Sequence, residues 1–316
     1  MPAKGVFPML DRILVVFSQV VTLFLLMGVG FFLAKKEKLT QHGVTECTYL
    51  LLYLVAPCII IESLQVDRDP ALTHSVLLCS AATVGLYLLY ILLSLPTFRK
   101  QPQKTRSVLQ FGAVYGNLGF MGIPLIQAVL GERAILFVVF VLAIFTVCYW
   151  IHGVILMGGR DSFSLKNAIL NPGVVPLFIA LPLFITGWRL PSMVNSAVSF
   201  LADLNTPLAM VVIGAQMARS DLLSIFRQPR LYTASAFRLL LCPVITALVL
   251  LPLNMDPILY ATMVILGGTP TAGVTSMFAQ RFEQDTPTAA QLVSLSTLLS
   301  IVTLPLCAAL AEVLSR

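Results

Sequence analysis

Residues 117–124 read Asn-Leu-Gly-Phe-Met-Gly-Ile-Pro, and they lie inside an apolar segment long enough to cross a bilayer. A second apolar segment contains Gly-Gly-Thr-Pro-Thr-Ala-Gly at residues 267–273. Proline removes a backbone donor and glycine loosens a helix, so both segments are predicted to break at membrane depth. A break there is tolerated only where the freed backbone lines a protein cavity. Two breaks at corresponding places are typical of transporters.

The composition indicates an integral membrane protein with no room for a large soluble domain. Hydrophobic residues make up 58% of the 316 positions, charged residues make up 11%, and the mean hydropathy is +0.93. Ordinary soluble domains carry about 25% charged residues. The apolar run 13–33 is too long for a signal-peptide core and is expected to be the first span. The six cysteines show no zinc-site spacing, and no cofactor or metal is expected.

Ten transmembrane spans of about 20 apolar residues are predicted. They lie at 13–33, 43–64, 71–95, 107–130, 133–157, 171–188, 193–218, 231–253, 257–280 and 286–312. Lys and Arg are concentrated in the connections that follow odd-numbered spans, which indicates membrane orientation rather than a nucleic-acid partner. The positive-inside rule places these connections in the cytoplasm and both termini outside.

Spans 1–5 and spans 6–10 resemble each other. Pro57 in span 2 corresponds to Pro207 in span 7, and the broken span 4 corresponds to the broken span 9. Because five is an odd number, the second half enters the membrane from the opposite side. The predicted fold is an all-α membrane protein with ten transmembrane helices in a five-plus-five inverted repeat and two broken crossover helices. The first repeat covers 1–157, a short cytoplasmic linker covers 158–170, and the second repeat covers 171–316.

The two breaks predict a binding site for an anion. Half-helices that begin after each break point unpaired N–H groups at the protein centre, where their positive dipole ends favour negative charge. The alternative is that glycine and proline only kink these helices. Matched breaks favour a site, and a substrate carboxylate is expected there. The candidate substrate-binding residues are Gly116, Asn117, Gly119, Pro124, Gly268, Thr269, Pro270 and Thr271.

Two charged residues lie inside predicted spans. A charge at the bilayer centre costs about 2.5 to 3.5 kcal/mol, so Asp203 is expected to face the bundle interior. With Asn205 and Thr206 it is a candidate for coupling to a proton or a cation, the alternative being a structural hydrogen bond near the outer interface. Arg238 is expected to extend toward the cytoplasmic surface, with contact to an anionic substrate as the alternative.

The residues resemble the auxin efflux carrier family, which comprises plant auxin exporters and bacterial malate-permease-type carriers. The resemblance lies in Asn117 with residues 121–124, in Pro270 with residues 278–279, in the Pro57 and Pro207 pair, and in residues 300–305 of the last span.

This resemblance implies a fold shared with bile-acid sodium symporters, in which two broken helices cross and the substrate carboxylate binds at the crossing. It implies that Asn117 contacts the carboxylate and that Pro124 and Pro270 set the crossing. It also implies a homodimer, with spans 1, 2, 6 and 7 as a scaffold and spans 3–5 and 8–10 as a moving unit. Plant exporters usually have Gln-Gly after the second proline and many carry a long loop between the halves, whereas this chain has Thr271 and Ala272 and a short loop. A small organic acid is therefore favoured over auxin.

The expected function is transport of small organic anions across the inner membrane by alternating access, with an elevator-like movement and a drive from the substrate gradient, the potential or a coupled ion. One alternative is a sodium-coupled organic anion symporter, and another is a membrane sensor with the carrier fold. An enzyme is not expected, because no nucleophile and base share a helix face and no ATP-binding motif is present. The expected partners are an organic acid, a proton or sodium ion, and membrane lipid.

Overall fold

The computed structural model describes residues 9–65, 70–171, 173–219 and 225–314, which form an all-helical protein. In chain order the described helices are α1 (Met9–Lys35), α2 (Gln41–Ser63), α3 (Pro70–Thr97), α4 (Gln103–Val114), α5 (Leu118–Leu130), α6 (Glu132–Gly158), α7 (Leu165–Ile169), α8 (Leu177–Thr186), α9 (Ser192–Ala218), α10 (Pro229–Leu253), α11 (Pro257–Gly267), α12 (Val274–Arg281) and α13 (Thr286–Leu314). A short 3-10 turn, Arg160–Ser162, lies between α6 and α7.

Among the described residues, seven helices are long and apolar enough to span a membrane: α1, α2, α3, α6, α9, α10 and α13. The prediction of an all-helical, multi-pass membrane protein is therefore confirmed. Three shorter apolar helices, α5, α8 and α11, lie where spans 4, 6 and 9 are predicted. The count of ten spans and the inverted repeat stay predictions. The predicted location of the termini concerns residues 1–8 and 315–316, which lie outside the described ranges.

Three prolines inside the helices each follow a wider, π-helical turn by two residues. The π turns are Leu51–Val55 in α2, Leu118–Gly122 in α5 and Phe237–Leu241 in α10, and the prolines are Pro57, Pro124 and Pro243. A proline ring clashes with the carbonyl four residues earlier and removes one hydrogen bond. In each case that carbonyl lies in the π turn, whose wider spacing accommodates the ring and keeps the helix continuous.

Helices α1 and α9 approach each other closely enough for their backbones to touch. A Cβ atom added to Gly30 would fall on the carbonyl of Val211, and one added to Gly214 would fall on the carbonyl of Met27. Small residues at such positions allow transmembrane helices to pack through their backbones. The contact joins a helix of the first half of the chain to a helix of the second half.

Helix α13 packs against α1, α4, α10, α11 and α12, and it therefore lies next to both interrupted spans. One face of it is polar yet buried, and it carries Ser294, Ser296, Thr297 and Ser300. Buried hydroxyl groups in a membrane helix need hydrogen-bond partners, because lipid supplies none. The hydroxyl of Ser296 donates to the carbonyl of Val293 in its own helix and accepts a hydrogen bond at the site described next.

Candidate functional site

The helices are interrupted at both sequence-predicted breaks. Helix α4 ends at Val114 and α5 begins at Leu118; α11 ends at Gly267 and α12 begins at Val274. Each interruption frees backbone carbonyls at the end of one helix and N–H groups at the start of the next. These groups need partners at membrane depth, where an unpaired group costs several kcal/mol.

The two interruptions pair with each other. Gly116 and Thr271 form an isolated antiparallel bridge. The N–H of Asn117 donates to the carbonyl of Pro270 at 2.6 Å, and the N–H of Ala272 donates to the carbonyl of Tyr115 at 3.0 Å. We call residues 115–117 and 270–272 the junction. It joins the two halves of the chain through backbone hydrogen bonds in the interior of the protein.

Asn117 caps the start of α5. Its side-chain oxygen accepts a hydrogen bond from the N–H of Phe120 at 3.3 Å, and its backbone carbonyl accepts from Met121 and Gly122. The residue is 8% exposed. None of the described hydrogen bonds engages its side-chain nitrogen, so the amide can cap the helix and still donate to another molecule.

Thr269 and Thr271, both candidate substrate-binding residues, are fully buried and use their hydroxyl groups within the protein. The hydroxyl of Thr269 donates to the carbonyl of Leu266 at 2.8 Å. The hydroxyl of Thr271 donates to the carbonyl of Gly112 at 2.9 Å, and its N–H donates to the hydroxyl of Ser296 at 3.1 Å. In this conformation both threonines hold the junction together. Their role in substrate binding stays a prediction.

The glycines of each interruption fall into two kinds. A Cβ atom on Gly116 would collide with the guanidinium of Arg238 and the hydroxyl of Thr269, and one on Gly268 would collide with the Cys307 thiol. By contrast, the nearest atom to a Cβ on Gly119 would lie at 3.9 Å, and for Gly273 it would lie at 3.7 Å. Each interruption thus has glycines that permit close packing and one glycine, Gly119 or Gly273, at which an added Cβ would make only ordinary contacts.

Arg238 is fully enclosed, so the prediction that it extends to the cytoplasmic surface is wrong. Its side chain is 1% exposed and donates hydrogen bonds to the backbone carbonyls of Thr269, Leu266 and Val114. The physical reason is that the interruptions leave unpaired carbonyls within its reach, and these stabilise a buried guanidinium. A direct contact with an anionic substrate stays a hypothesis that this conformation does not display.

A cleft of about 290 Å³ lies between α1, α5 and α9, and Pro124 forms part of its wall. Its polar lining comes from Gln19, Thr22, Gln127 and Thr206. Pro124 follows Asn117 by seven residues, which is about 10 Å along a helix. Uncharged polar side chains at membrane depth are typical of a surface that borders water or substrate rather than lipid. The cleft therefore lies beside the same helix, α5, that begins at the junction.

The three ion-coupling candidates are separated in the structure. Asp203 is exposed, so the expectation that it faces the bundle interior is wrong. The buried face of α9 here passes through Ala202, Asn205 and Ala209, and Asp203 lies off that face, next to the turn at Leu204. Asn205 is 4% exposed and its side-chain nitrogen has no partner among the described residues, whereas Thr206 lines the cleft.

Comparison with known proteins decides the class of the molecule. The model of the family described as Membrane transport protein matches residues 15–167 and 160–308. The chain belongs to this family, the auxin efflux carrier family. It is therefore a membrane transporter and not an enzyme, and the resemblance drawn from the sequence is confirmed.

Relatives of this carrier are transporters by name. A Rhizobium meliloti protein named "Putative malonate transporter" is 23% identical over 80% of this chain and 82% of its own length. A Methanocaldococcus jannaschii protein named "Uncharacterized transporter" is 23% identical over 91% of this chain and 96% of its own length. A Methanothermobacter thermautotrophicus protein with the same name is 25% identical over 63% of this chain and 66% of its own length.

Sequence reasoning missed two parts of this carrier's site. Ser296 accepts the N–H of Thr271, but one serine in a long apolar span gives no signal of that contact. The hydroxyl of Tyr115 lies 3.0 Å from Nδ1 of His152 and donates to the carbonyl of Cys148. His152, which the sequence analysis did not single out, thus contacts a junction residue. The signal that could have found this contact is the position of His152 in the span that follows the first predicted break.

Proposed function

We propose that this protein is a secondary carrier that moves small organic anions across the membrane by alternating access. The junction is the observation that supports this proposal, because it lies where α5 and α12 begin. None of the described hydrogen bonds engages the backbone N–H groups of Gly119, Gly273 or Val274. Two helix starts and the Asn117 amide offer a carboxylate several neutral donors, which suits a ligand that must also be released.

The substrate class that we propose is a short mono- or dicarboxylate. The name of the Rhizobium meliloti relative refers to malonate, a three-carbon dicarboxylate, and this chain covers most of that relative. A cleft of about 290 Å³ lies at the small end of the range for small-molecule sites, about 300 to 1,000 Å³. A small acid therefore fits better than a large amphipathic one.

We propose that the substrate moves with one group of helices against the other, as in an elevator. The scaffold would consist of α1, α2, α8 and α9, in which the backbone contact of α1 with α9 supports a rigid unit. The moving unit would contain α3–α6 and α10–α13, which the junction, Arg238 and Ser296 tie together. The cleft lies between the two groups and would form the outer access path. We further propose a homodimer in the inner membrane with extracytoplasmic termini.

Transport is tested with purified protein in liposomes. Uptake of radiolabelled malonate, malate and an aromatic acid is measured against empty liposomes, after a thermal-shift screen with the same acids. We expect at least one short carboxylate to raise the unfolding temperature and to accumulate inside. Stabilisation without uptake would favour a sensor over a carrier, and the absence of both effects for every carboxylate would contradict the proposal.

Coupling is tested in the same liposomes. Replacing sodium with choline leaves uptake unchanged in a sodium-independent carrier and abolishes it in a sodium-coupled symporter. A pH gradient of either sign then reports proton coupling.

If Asp203 carries the coupling proton, Asp203→Asn removes the effect of the pH gradient on uptake. An unchanged dependence on the gradient would assign Asp203 a structural role. Glu62→Gln is the control, since Glu62 is another acidic residue within a long apolar helix and, like Asp203, does not line the cleft.

A further inference from the structure

Arg238 places a positive charge in the interior, and the proposed function does not yet use it. The side chain lies in the π turn of α10 and is 1% exposed. Among the described residues, ion pairs join His42 with Glu46 and Arg133 with Asp256, and neither pair includes Arg238. A buried cation is costly unless its charge is compensated. The groups around the guanidinium must therefore provide that compensation.

The guanidinium holds the ends of both interrupted helices. Its Nη1 donates to the carbonyl of Val114, the last residue of α4, at 3.1 Å. Its Nη2 donates to the carbonyl of Leu266 near the end of α11 at 2.8 Å, and its Nε donates to the carbonyl of Thr269 just beyond that end, also at 2.8 Å. A planar fork of donors can reach all three carbonyls at once, whereas an ammonium group is a single point.

These two helix ends account for the charge compensation. The C-terminal end of a helix carries the equivalent of about −0.5 elementary charge, so two ends together match one guanidinium. The same two ends would otherwise repel an anion at the junction. Once Arg238 neutralises them, the positive starts of α5 and α12 are the uncompensated helix ends there, and the local potential favours negative charge.

The guanidinium does not have room for a substrate at its own surface. The small cavity beside it, between Tyr87, Tyr90 and Leu118, has a volume of about 20 Å³. That is enough for about one water molecule. Arg238 can therefore influence a bound anion only through the helices that it holds.

We propose that Arg238 is the positioning residue that makes the junction selective for anions, because it neutralises the C-terminal ends of α4 and α11 and fixes these helices to each other. This inference rests on the proposed function and deepens it. Since the interaction of a ligand with a local potential grows with the charge of the ligand, Arg238 favours dicarboxylates over monocarboxylates.

The test compares Arg238→Met, Arg238→Lys and a control, Arg230→Met. Arg230 lies at the start of the same helix, where its guanidinium donates hydrogen bonds to the side chains of Gln228 and Thr288. Malonate and propionate, which share three carbons, are used as dianion and monoanion probes in uptake assays. Hydrogen exchange of the junction amides is measured in parallel, because it needs no substrate.

Arg238→Met is expected to raise the KM for malonate uptake at least about tenfold and to raise the KM for propionate uptake by a smaller factor. It is also expected to speed amide exchange of residues 115–117 and 270–272. Arg238→Lys is expected to keep part of the preference for malonate, because it keeps the charge, and to speed the same exchange. Arg230→Met is expected to change none of these.

Three results would overturn the inference. One is an unchanged ratio of malonate to propionate KM in Arg238→Met with unchanged amide exchange. Another is equal weakening of both acids in Arg238→Met and Arg238→Lys, which would mark a purely structural role. The third is failure of both Arg238 variants to fold while Arg230→Met folds. If the wild-type protein transports neither acid, the proposed function fails, and the exchange of the junction amides still tests whether Arg238 holds the two helices.

Discussion

The two interruptions use similar residues but satisfy their freed backbone in different ways. In the first, Asn117 caps α5 with its own side chain and keeps a free amide nitrogen. In the second, the N-cap of α12 is Gly273, which provides no side-chain cap, and the hydroxyls of Thr269 and Thr271 donate to backbone carbonyls. The first interruption thus supplies a side chain for a ligand, and the second supplies backbone N–H groups and mechanical support.

This difference shows that sequence similarity between two breaks does not give them the same role. An amide, two glycines and a proline in one segment correspond to two threonines, glycines and a proline in the other. Because the fully buried Thr271 is bonded on both its N–H and its hydroxyl, the second segment has few polar side-chain groups left for a substrate. Substitutions that separate binding from support test this division of roles.

The largest effect is expected from Gly116→Ala, which breaks the junction itself. The added methyl group collides with the Arg238 guanidinium and the Thr269 hydroxyl, and both are held by hydrogen bonds. Overpacking of this kind costs about 1 to 3 kcal/mol. We expect loss of transport and a lower thermal unfolding temperature in detergent, measured with an environment-sensitive dye.

Gly119→Ala is the matched control in the same interruption. Its added methyl group meets its nearest neighbour, Leu142, only at 3.9 Å, which is an ordinary contact. We expect the unfolding temperature of Gly119→Ala to equal that of the wild type. Equal unfolding temperatures for Gly116→Ala and Gly119→Ala would show that the junction accommodates an added methyl group. The distinction between the crowded Gly116 and the uncrowded Gly119 would then be wrong.

A large effect on transport with little effect on folding is expected from Asn117→Asp. The carboxylate keeps the oxygen that caps Phe120, and an aspartate at a helix start is as good a cap as asparagine. It removes the free amide donor and adds a negative charge where a carboxylate is proposed to bind. We expect transport to fall by at least about a hundredfold while the unfolding temperature changes little.

Asn117→Ala completes this test, because it removes both the cap and the donor. We expect it to lower stability by about 1 kcal/mol and to weaken transport less than Asn117→Asp does. Substrate affinity in Asn117→Asp equal to that of the wild type would refute the assignment of this side chain to the anion site.

A moderate effect on stability alone is expected from Thr271→Val, which probes the second interruption. The substitution keeps the shape of the side chain but leaves the carbonyl of Gly112 without its hydroxyl donor. A buried unsatisfied group costs about 1 to 3 kcal/mol. Ser296→Ala, which removes the acceptor of the Thr271 N–H, should act in the same direction.

The measurement for these two variants is the pair of unfolding temperature and uptake KM. We expect the unfolding temperature to fall in both and the KM to stay at the wild-type value. A raised KM in Thr271→Val without a loss of stability would instead return Thr271 to the substrate-binding residues predicted from the sequence.

The sequence predicted the position of both interruptions because glycine and proline act on the local backbone. It could not predict how the interruptions are satisfied, because those partners come from other helices. Ser296 lies 25 residues from Thr271 along the chain, and Arg238 reaches the carbonyl of Val114 from a sequence separation of 124 residues. The expectation for Arg238 considered the membrane surface and a substrate, but not the backbone carbonyls that the interruptions leave unpaired. The expectation for Asp203 likewise used depth in the membrane, which does not indicate the face of a helix.

The smallest effect, and one that changes only in acid, is expected from Asp285→Asn, at the place where α4 and α13 begin. Asp285 accepts hydrogen bonds from the hydroxyls of Thr105 and Thr288, each at 2.7 Å, and so joins the start of α4 to the start of α13. Burial raises the pKa of this carboxyl group. The two hydroxyl hydrogen bonds, a hydrogen bond from the N–H of Thr288 and the charge of Arg230 outweigh that effect, so the pKa is lowered.

The stabilisation from Asp285 is therefore present above the unfolded pKa of about 3.9 and is lost as the pH falls through the folded value. We expect wild-type protein to unfold at a slightly higher temperature than Asp285→Asn at pH 7, and the difference to shrink as the pH falls below about 4 and to vanish only below the lowered folded pKa. A difference that stays constant from pH 7 to pH 3 would show that the charge of Asp285 does not hold the starts of α4 and α13 together.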